Sequence, residues 1–378
     1  MQTRYRRSWT EEGTCVTWSR GRDMSHVPRS KPVDTEDTII LDGWFGDLAD
    51  LKQEDEAVRR YLLTWIRTMV TKYKIDGLRL DTALYMPTYF LSEFQQASQR
   101  LILGEVPTLN VTLHRSFTPP LSGLLNFPAT TLVSKVFSTS GSLSDLAAQL
   151  ARQHIASYPA EGHRLANFID NHDMPRFLYS HSGDETLLQN SLTWAFLWHG
   201  LPVMYYGTEN PAVSNQRDSR MAMWPSGFAP TSISRFVASL NELRQHYAIG
   251  AGGAAVKSLA VVAAAAQSSL AFTRASLLVV VGNRGHGQPL EACIKMSALP
   301  PTWQHICASG AGGAAALTHV LGTSTDRAVC MLSLNEVQQL PEMMHLCVRS
   351  QEGGPIVYAQ CGSPLPCKAA AAAFETDR

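Results

Sequence analysis

From Val58 onward, stretches with apolar residues at helical spacing alternate with short apolar runs of strand length. Residues 58–73 place Leu62, Ile66, Met69 and Val70 on one helical face, with Arg59, Arg60, Arg67 and Lys72 mostly elsewhere. A run ending at Asp81 follows, then a helical stretch over about 90–100 and a run ending at Glu105. Residues 123–127 form a third run, with helices predicted over 132–137 and 143–154. The fourth run, 165–173, precedes a helix over 185–198, and the fifth, 200–207, precedes one over 233–247. Such alternation predicts an α/β fold with a parallel sheet and right-handed crossovers. Polar and acidic residues gather where each strand gives way to its loop, the functional face of a (β/α) barrel and equally of an open doubly wound sheet.

After about residue 250 the pattern changes. Gly250-Ala251-Gly252-Gly253 reads as a linker, and short apolar runs at 270–272, 277–281, 329–332 and 356–358 predict a small antiparallel β-domain. The alanine patches at 263–266 and 369–373 read as compositional noise, and the tail beyond Cys367 as disordered.

Composition narrows the function classes. Lys+Arg and Asp+Glu are both 32, so no basic field exists to collect nucleic acid or an anionic membrane, and a neutral substrate is favoured. No apolar run reaches membrane-spanning length. The basic start, Met1 to Arg7, is not followed by the apolar segment of a secretory signal, and localisation is not readable. None of the seven cysteines forms a Cys-x-x-Cys pair; six lie beyond residue 290, where they suit either disulfides or free thiols. Gly282-Asn283-Arg284-Gly285-His286-Gly287 has the wrong spacing for a phosphate loop, which leaves a nucleotide-dependent doubly wound enzyme a distant option.

Three carboxylates stand at successive strand ends: Asp81 in Asp76-Gly77-Leu78-Arg79-Leu80-Asp81, Glu105 in Leu101-Ile102-Leu103-Gly104-Glu105-Val106, and Asp173 in Phe168-Ile169-Asp170-Asn171-His172-Asp173. Carboxylates projected into one site are the equipment of glycoside hydrolysis. Arg79 and Asp81 are two apart on a strand, so they share a side, expected to face the barrel interior with Leu78 and Leu80 opposite. A guanidinium there keeps a carboxylate ionised, as a nucleophile requires; a structural ion pair is the equal alternative. Glu105 has apolar neighbours, which raise a carboxyl pKa toward that of a general acid. His172-Asp173 suits either a site or an Asx turn ending the strand. No Gly-x-Ser-x-Gly elbow supports a serine hydrolase.

These segments, with Gly200-Leu201-Pro202-Val203-Met204-Tyr205-Tyr206-Gly207, resemble four ordered motifs of the α-amylases of glycoside hydrolase family 13, fungal-type in pattern, over about 42–227. The resemblance implies a (β/α)8 TIM barrel lacking its N-terminal part, followed by a small C-terminal antiparallel β-sandwich domain. The implied division is 1–41 unassigned, 42–249 partial barrel, 250–366 β-domain and 367–378 tail. It implies Asp81 as nucleophile, Glu105 as acid/base and Asp173 as transition-state stabiliser, with Arg79, His172, Tyr85 and Arg220 binding substrate and Asp50 a calcium ligand. The implied partner is an α-glucan such as starch, glycogen or a maltooligosaccharide, met by a monomer, with carboxyl oxygens of Asp81 and Glu105 about 5–5.5 Å apart.

Two departures qualify the likeness. Leu84 and Tyr85 stand where the pattern has Lys-His, groups that contact sugar on the leaving-group side; Thr208 replaces the usual glutamine. A full barrel needs about 250 residues, yet the Asp81 strand, fourth in the pattern, has too little before it for three earlier strand–helix units. A fragment, a partner chain completing the barrel, or a degenerate relative would each account for this. The alternatives carried are a non-catalytic carbohydrate-binding or regulatory protein, and a transglycosylase or α-glucosidase of the same family.

Overall fold

The computed structural model describes residues 7–9, 15–17, 51–155, 164–247, 259–299, 317–321, 327–332 and 344–360. Asp50, the 250–253 linker and the tail beyond Cys367 lie outside the described residues. Near the N-terminus, β1 (Arg7–Trp9) and β2 (Cys15–Thr17) form an antiparallel pair. The chain divides into two compact units, Met1–Pro128 and Ala129–Arg378, so the expected boundary near residue 250 falls inside the second.

In the first unit, α1 (Glu56–Tyr73) starts where the Asp55 carboxylate accepts from the Ala57 and Val58 amides, satisfying first-turn donors, and ends at Lys74 in the left-handed region. Val58, Ile66 and Val70 are buried, while Leu62 and Met69 are half-buried, as helical spacing dictates. Then come β3 (Gly77–Leu80), α2 (Thr88–Ser98), β4 (Leu101–Gly104), α3 (Val111–Ser116) and β5 (Gly123–Leu125). The strands pair in parallel in the order β3-β4-β5, with Arg79 opposite Leu103 and Leu80 opposite Gly104. Gly104 is the close-approach position: a Cβ there would lie 2.5 Å from Leu121 Cδ1 and 3.4 Å from Ala83 Cβ.

Helix α4 (Phe127–Val136) leads into the second unit, followed by α5 (Leu143–Ile155), β6 (Leu165–Asn167), α6 (Phe177–Ser180), α7 (Glu185–Leu197), β7 (Leu201–Pro202), α8 (Pro211–Ser214) and α9 (Ser232–His246). Strands β6 and β7 pair in parallel. Helix α7 is buried almost all round, including its polar residues. Asn190 satisfies its buried amide fully: its nitrogen donates to Thr186 O (2.8 Å) and Gly353 O (3.0 Å), and its oxygen accepts from Gly282 N (2.7 Å).

The C-terminal strands are β8 (Val261–Ala265), β9 (Ser269–Arg274), β10 (Leu277–Gly282), β11 (Leu290–Lys295), β12 (Leu317–Leu321), β13 (Arg327–Leu332), β14 (Met344–Ser350) and β15 (Ile356–Gln360). They form two antiparallel sheets, ordered β12-β15-β10-β9-β8 and β11-β14-β13. Strand β10 is a continuous apolar run because both of its faces are covered. Leu277, Val279 and Val281 join the core made with α4, α5, α7 and α9, while Leu278 and Val280 join a second core with Leu290, Ile294, Leu346 and Val348. Each such side chain contributes roughly 1.5–3 kcal/mol on burial.

The structure corrects one detail of the sequence reading here: residues 263–265 of the alanine patch belong to β8, with Ala263 buried. Small side chains let that edge strand lie against the second core. The Cys293–Cys347 pair is a disulfide across directly opposed positions of β11 and β14, so at least these two cysteines are oxidised partners.

Candidate active site

In the first unit, the turn after β3 and the end of β4 bring three charged groups together. Backbone bonds lock the two segments: Glu105 N donates to Leu80 O (2.9 Å), and Leu84 N donates to Glu105 O (3.3 Å). One guanidinium spans the two acids, with Arg79 Nη1 2.9 Å from Asp81 Oδ1 and Nη2 2.8 Å from Glu105 Oε1. The other Glu105 oxygen accepts from Thr82 N at 3.1 Å, and Thr82 itself adopts a left-handed backbone.

Burial differs sharply within this group. The Glu105 side chain is 10 % exposed, Arg79 39 % and Asp81 68 %. Arg79 and Asp81 therefore share a side, as the strand period requires, but they are not interior. Among the described residues β3 pairs with β4 alone, so no further strand covers its other flank.

Desolvation pushes the Glu105 carboxyl above the ordinary glutamate range, and hydrogen bonding and charge from Asp81 add to the rise. The Thr82 amide and the Arg79 charge oppose it. Two carboxyl groups close enough to interact, one sheltered and one in water, are an arrangement in which one can hold a proton while the other stays ionised. Tyr85 lies half-buried beside them, its hydroxyl pKa raised first by burial and then by the Glu105 charge. Leu84 is fully packed away, at 1 % exposure, and so offers nothing to a ligand.

In the second unit, the loop after β6 carries His172 and Asp173. Asp173 N donates to Asn171 Oδ1 (2.9 Å), so the Asx turn weighed from sequence is present. That turn aims the Asp173 carboxylate at two partners: His172 Nε2 at 3.0 Å and Arg220 Nη2 at 2.9 Å. Arg220 also donates from Nε to His172 O (3.1 Å), which fixes its fork. The pair is exposed, with Arg220 at 64 % and Asp173 at 53 %. The His172 ring lies 6.4 Å from that of Tyr205.

Sequence reading missed the support beneath this loop. Asp170, 2 % exposed, accepts from Phe177 N (2.9 Å) and from the Thr208 hydroxyl (3.1 Å). Burial raises its pKa against those bonds and the charge of Arg176. Arg176 is fully buried, donates to Tyr206 O (2.6 Å), and stacks over the Tyr205 and Tyr206 rings at 4.2 and 5.0 Å. Asp170 and Arg176, set next to the apolar pairs Phe168-Ile169 and Phe177-Leu178, were the available signal. Thr208, the substituted glutamine position, thus hydrogen-bonds a buried carboxylate.

The calcium expectation rested on Asp50, outside the described residues. Among the described residues no group of three or more His, Cys, Asp or Glu is placed to hold a metal. Nor is any described helix long and apolar enough to cross a membrane.

No family model matches the chain. It is 32 % identical over 216 residues to α-amylase 1 of Lipomyces kononenkoae, covering 55 % of this chain and 34 % of that protein. It is 30 % identical over 249 residues to an α-amylase of Saccharomycopsis fibuligera, covering 64 % of this chain and 50 % of that protein. The chain thus spans about a third to a half of the length of these curated relatives. Among solved structures, an α-amylase from Malbranchea cinnamomea superposes with a TM-score of 0.72 at 24 % identity, over 89 % of this chain and 68 % of that one. Over the matched segment the chain is similar in sequence to these α-amylases, and it shares its α/β fold with parallel strands with the Malbranchea cinnamomea structure.

Proposed function

We propose that the chain carries the catalytic equipment of a retaining α-glucosidic hydrolase acting within α-1,4-linked glucans such as starch, glycogen and maltooligosaccharides. The observation that carries this reading is the Arg79 guanidinium holding an exposed aspartate and a sheltered glutamate at once. Asp81 is the nucleophile: its carboxylate bonds the anomeric carbon as the bond to the leaving oxygen breaks. Glu105, its pKa raised by burial, gives its proton to that oxygen. It then takes a proton from water, whose oxygen displaces Asp81 and restores the original anomeric configuration. Asp173 stabilises the oxocarbenium-like ring, and His172, Arg220, Arg79 and Tyr85 bind sugar hydroxyls or rings; these roles follow from the motif resemblance. The reading includes a partial (β/α)8 barrel over 42–249, a β-sandwich domain over 250–366, and calcium bound through Asp50 as one oxygen ligand among several.

The test is hydrolysis of soluble starch by the chain beside its Glu105→Gln variant, with the product anomer followed by NMR. An α-product and a rate about 10²–10⁴-fold lower in the variant are expected. Equal background rates in both proteins would overturn the reading.

A further inference from the structure

Four and eight residues beyond Arg220, the chain presents two aromatic rings to solvent. Trp224 is 74 % exposed and Phe228 66 %, the two most exposed large apolar side chains among the described residues. Neither position is loose. Residues Trp224–Ser226 form a short helical turn closed by Ser226 N to Met223 O (2.9 Å) and Gly227 N to Trp224 O (3.1 Å). The Ser226 hydroxyl donates to Met223 O (2.7 Å) and accepts from Phe228 N (3.2 Å). Phe228 sits at φ 54°, a conformation uncommon for a bulky residue, and the turn holds it there.

A structural role accounts poorly for this turn, because rings that stabilise a fold are buried rather than held out in water. Exposed aromatic surface on a preorganised turn marks a binding site. The nature of the ligand follows from the neighbours. Trp224 stands four positions and Phe228 eight positions beyond Arg220, which binds Asp173, so their backbones lie within about 14 and 28 Å of the Arg220 backbone along the chain. A ligand lying across both places meets flat apolar faces at one end and hydrogen-bonding charges at the other. A chain of pyranose rings has both characters, with C–H faces for stacking and hydroxyl edges for the ion pair.

We propose that Trp224 and Phe228 form an aromatic platform that stacks on the outer sugar rings of a linear α-glucan whose nearer rings reach Arg220 and Asp173. The assignment rests on the proposed function and extends it to the length of glucan bound. Longer oligosaccharides gain contacts on the platform that shorter ones cannot reach.

The test measures binding by calorimetry in the full chain carrying Glu105→Gln, so that ligand is not consumed, with and without Trp224→Ala plus Phe228→Ala. Maltoheptaose affinity is expected to fall roughly tenfold or more, as for an exposed aromatic anchor, and maltotriose affinity less than twofold. Trp224→Phe should recover most of the loss. No change for maltoheptaose, equal losses for both sugars, or no maltoheptaose binding by the starting protein would each overturn the platform. Length-dependent binding lost in the double variant, in a chain that hydrolyses no starch, would uphold the platform while overturning the catalytic reading.

Discussion

Arg79 and Glu105 meet at 2.8 Å while the same arginine holds Asp81 at 2.9 Å, so one cation is shared by a sheltered acid and an exposed one. That sharing sets the sense of the Glu105 titration. Burial raises its pKa, and Arg79 limits the rise. In Arg79→Met the Glu105 pKa should climb further, moving the alkaline limb of kcat/KM to higher pH. The peak rate should fall about 10²-fold or more, because Asp81 loses its counter-charge. A pH–rate profile on a soluble maltooligosaccharide checks this; an alkaline limb that moves down contradicts it.

The same titration reaches stability. A carboxyl whose folded pKa exceeds its unfolded value binds more protons when folded, so its contribution is present below the unfolded pKa and lost as pH rises through the folded one. Glu105→Gln carries no such titration. The variant should melt at or above the parent temperature at pH 7, with the difference shrinking toward pH 4. Thermal melts at the two pH values decide it, and a variant less stable at pH 7 than the parent would refute the burial argument.

Gly104→Ala should cost about 1–3 kcal/mol in urea unfolding, since its Cβ would lie 2.5 Å from Leu121 Cδ1 and 3.4 Å from Ala83 Cβ. The Ala83 contact at 3.4 Å is ordinary packing, so the turn that carries Thr82, whose amide binds Glu105, should keep its place and activity should fall no further than stability requires. Combining the change with Leu121→Ala should return part of the stability.

His114, fully buried with Nε2 3.0 Å from Leu125 O, has its pKa lowered to about 4 by burial. Its folded pKa lies below the unfolded value of 6.5, so the unfolded chain takes up the proton first on acidification. Stability present above pH 6.5 is lost as pH falls toward 4, by roughly 3 kcal/mol from this group. Urea titrations at pH 7 and 4.5 should show that slope in the parent and a flatter one in His114→Gln.

Asn283, 2 % exposed, donates from one amide nitrogen to Val136 O (2.9 Å), Gly141 O (3.1 Å) and Gln267 O (3.1 Å). Asn283→Ala leaves the buried Val136 and Gly141 carbonyls, and the part-buried Gln267 carbonyl, without that donor and should lower stability by about 3 kcal/mol. Asn283→Asp, which replaces the donor by a carboxylate, should be at least as damaging. A variant within 0.5 kcal/mol of the parent in urea, at about the limit of surface changes, would show that the Asn283 site tolerates the loss.

Periodicity made the helices and parallel strands legible because they bury one face or both. Ile66 and Val70 mark the inner side of α1, and Leu277 to Val281 a strand covered twice. The misses have equally local causes. The alternation Leu290, Ala292, Ile294 against Glu291, Cys293, Lys295 was a strand signal, but too short and too mixed to stand out. Alanine at 263–265 has so little intrinsic β preference that only packing against β9 makes it a strand.

By itself, the sequence determined which residue types end each strand: Asp81 beside Arg79, Glu105 among apolar neighbours, and His172 next to Asp173. Local rules suffice for that, because alternation fixes sides and apolar runs fix depth. Only the tertiary structure decided that one guanidinium would serve two acids, that Asp81 stands in water while Glu105 is sheltered, and that Arg220 would close on Asp173. Those outcomes depend on register between β3 and β4 and on loops that return from 47 residues away. Charge and solvation act through distance in space, which no spacing along the chain encodes.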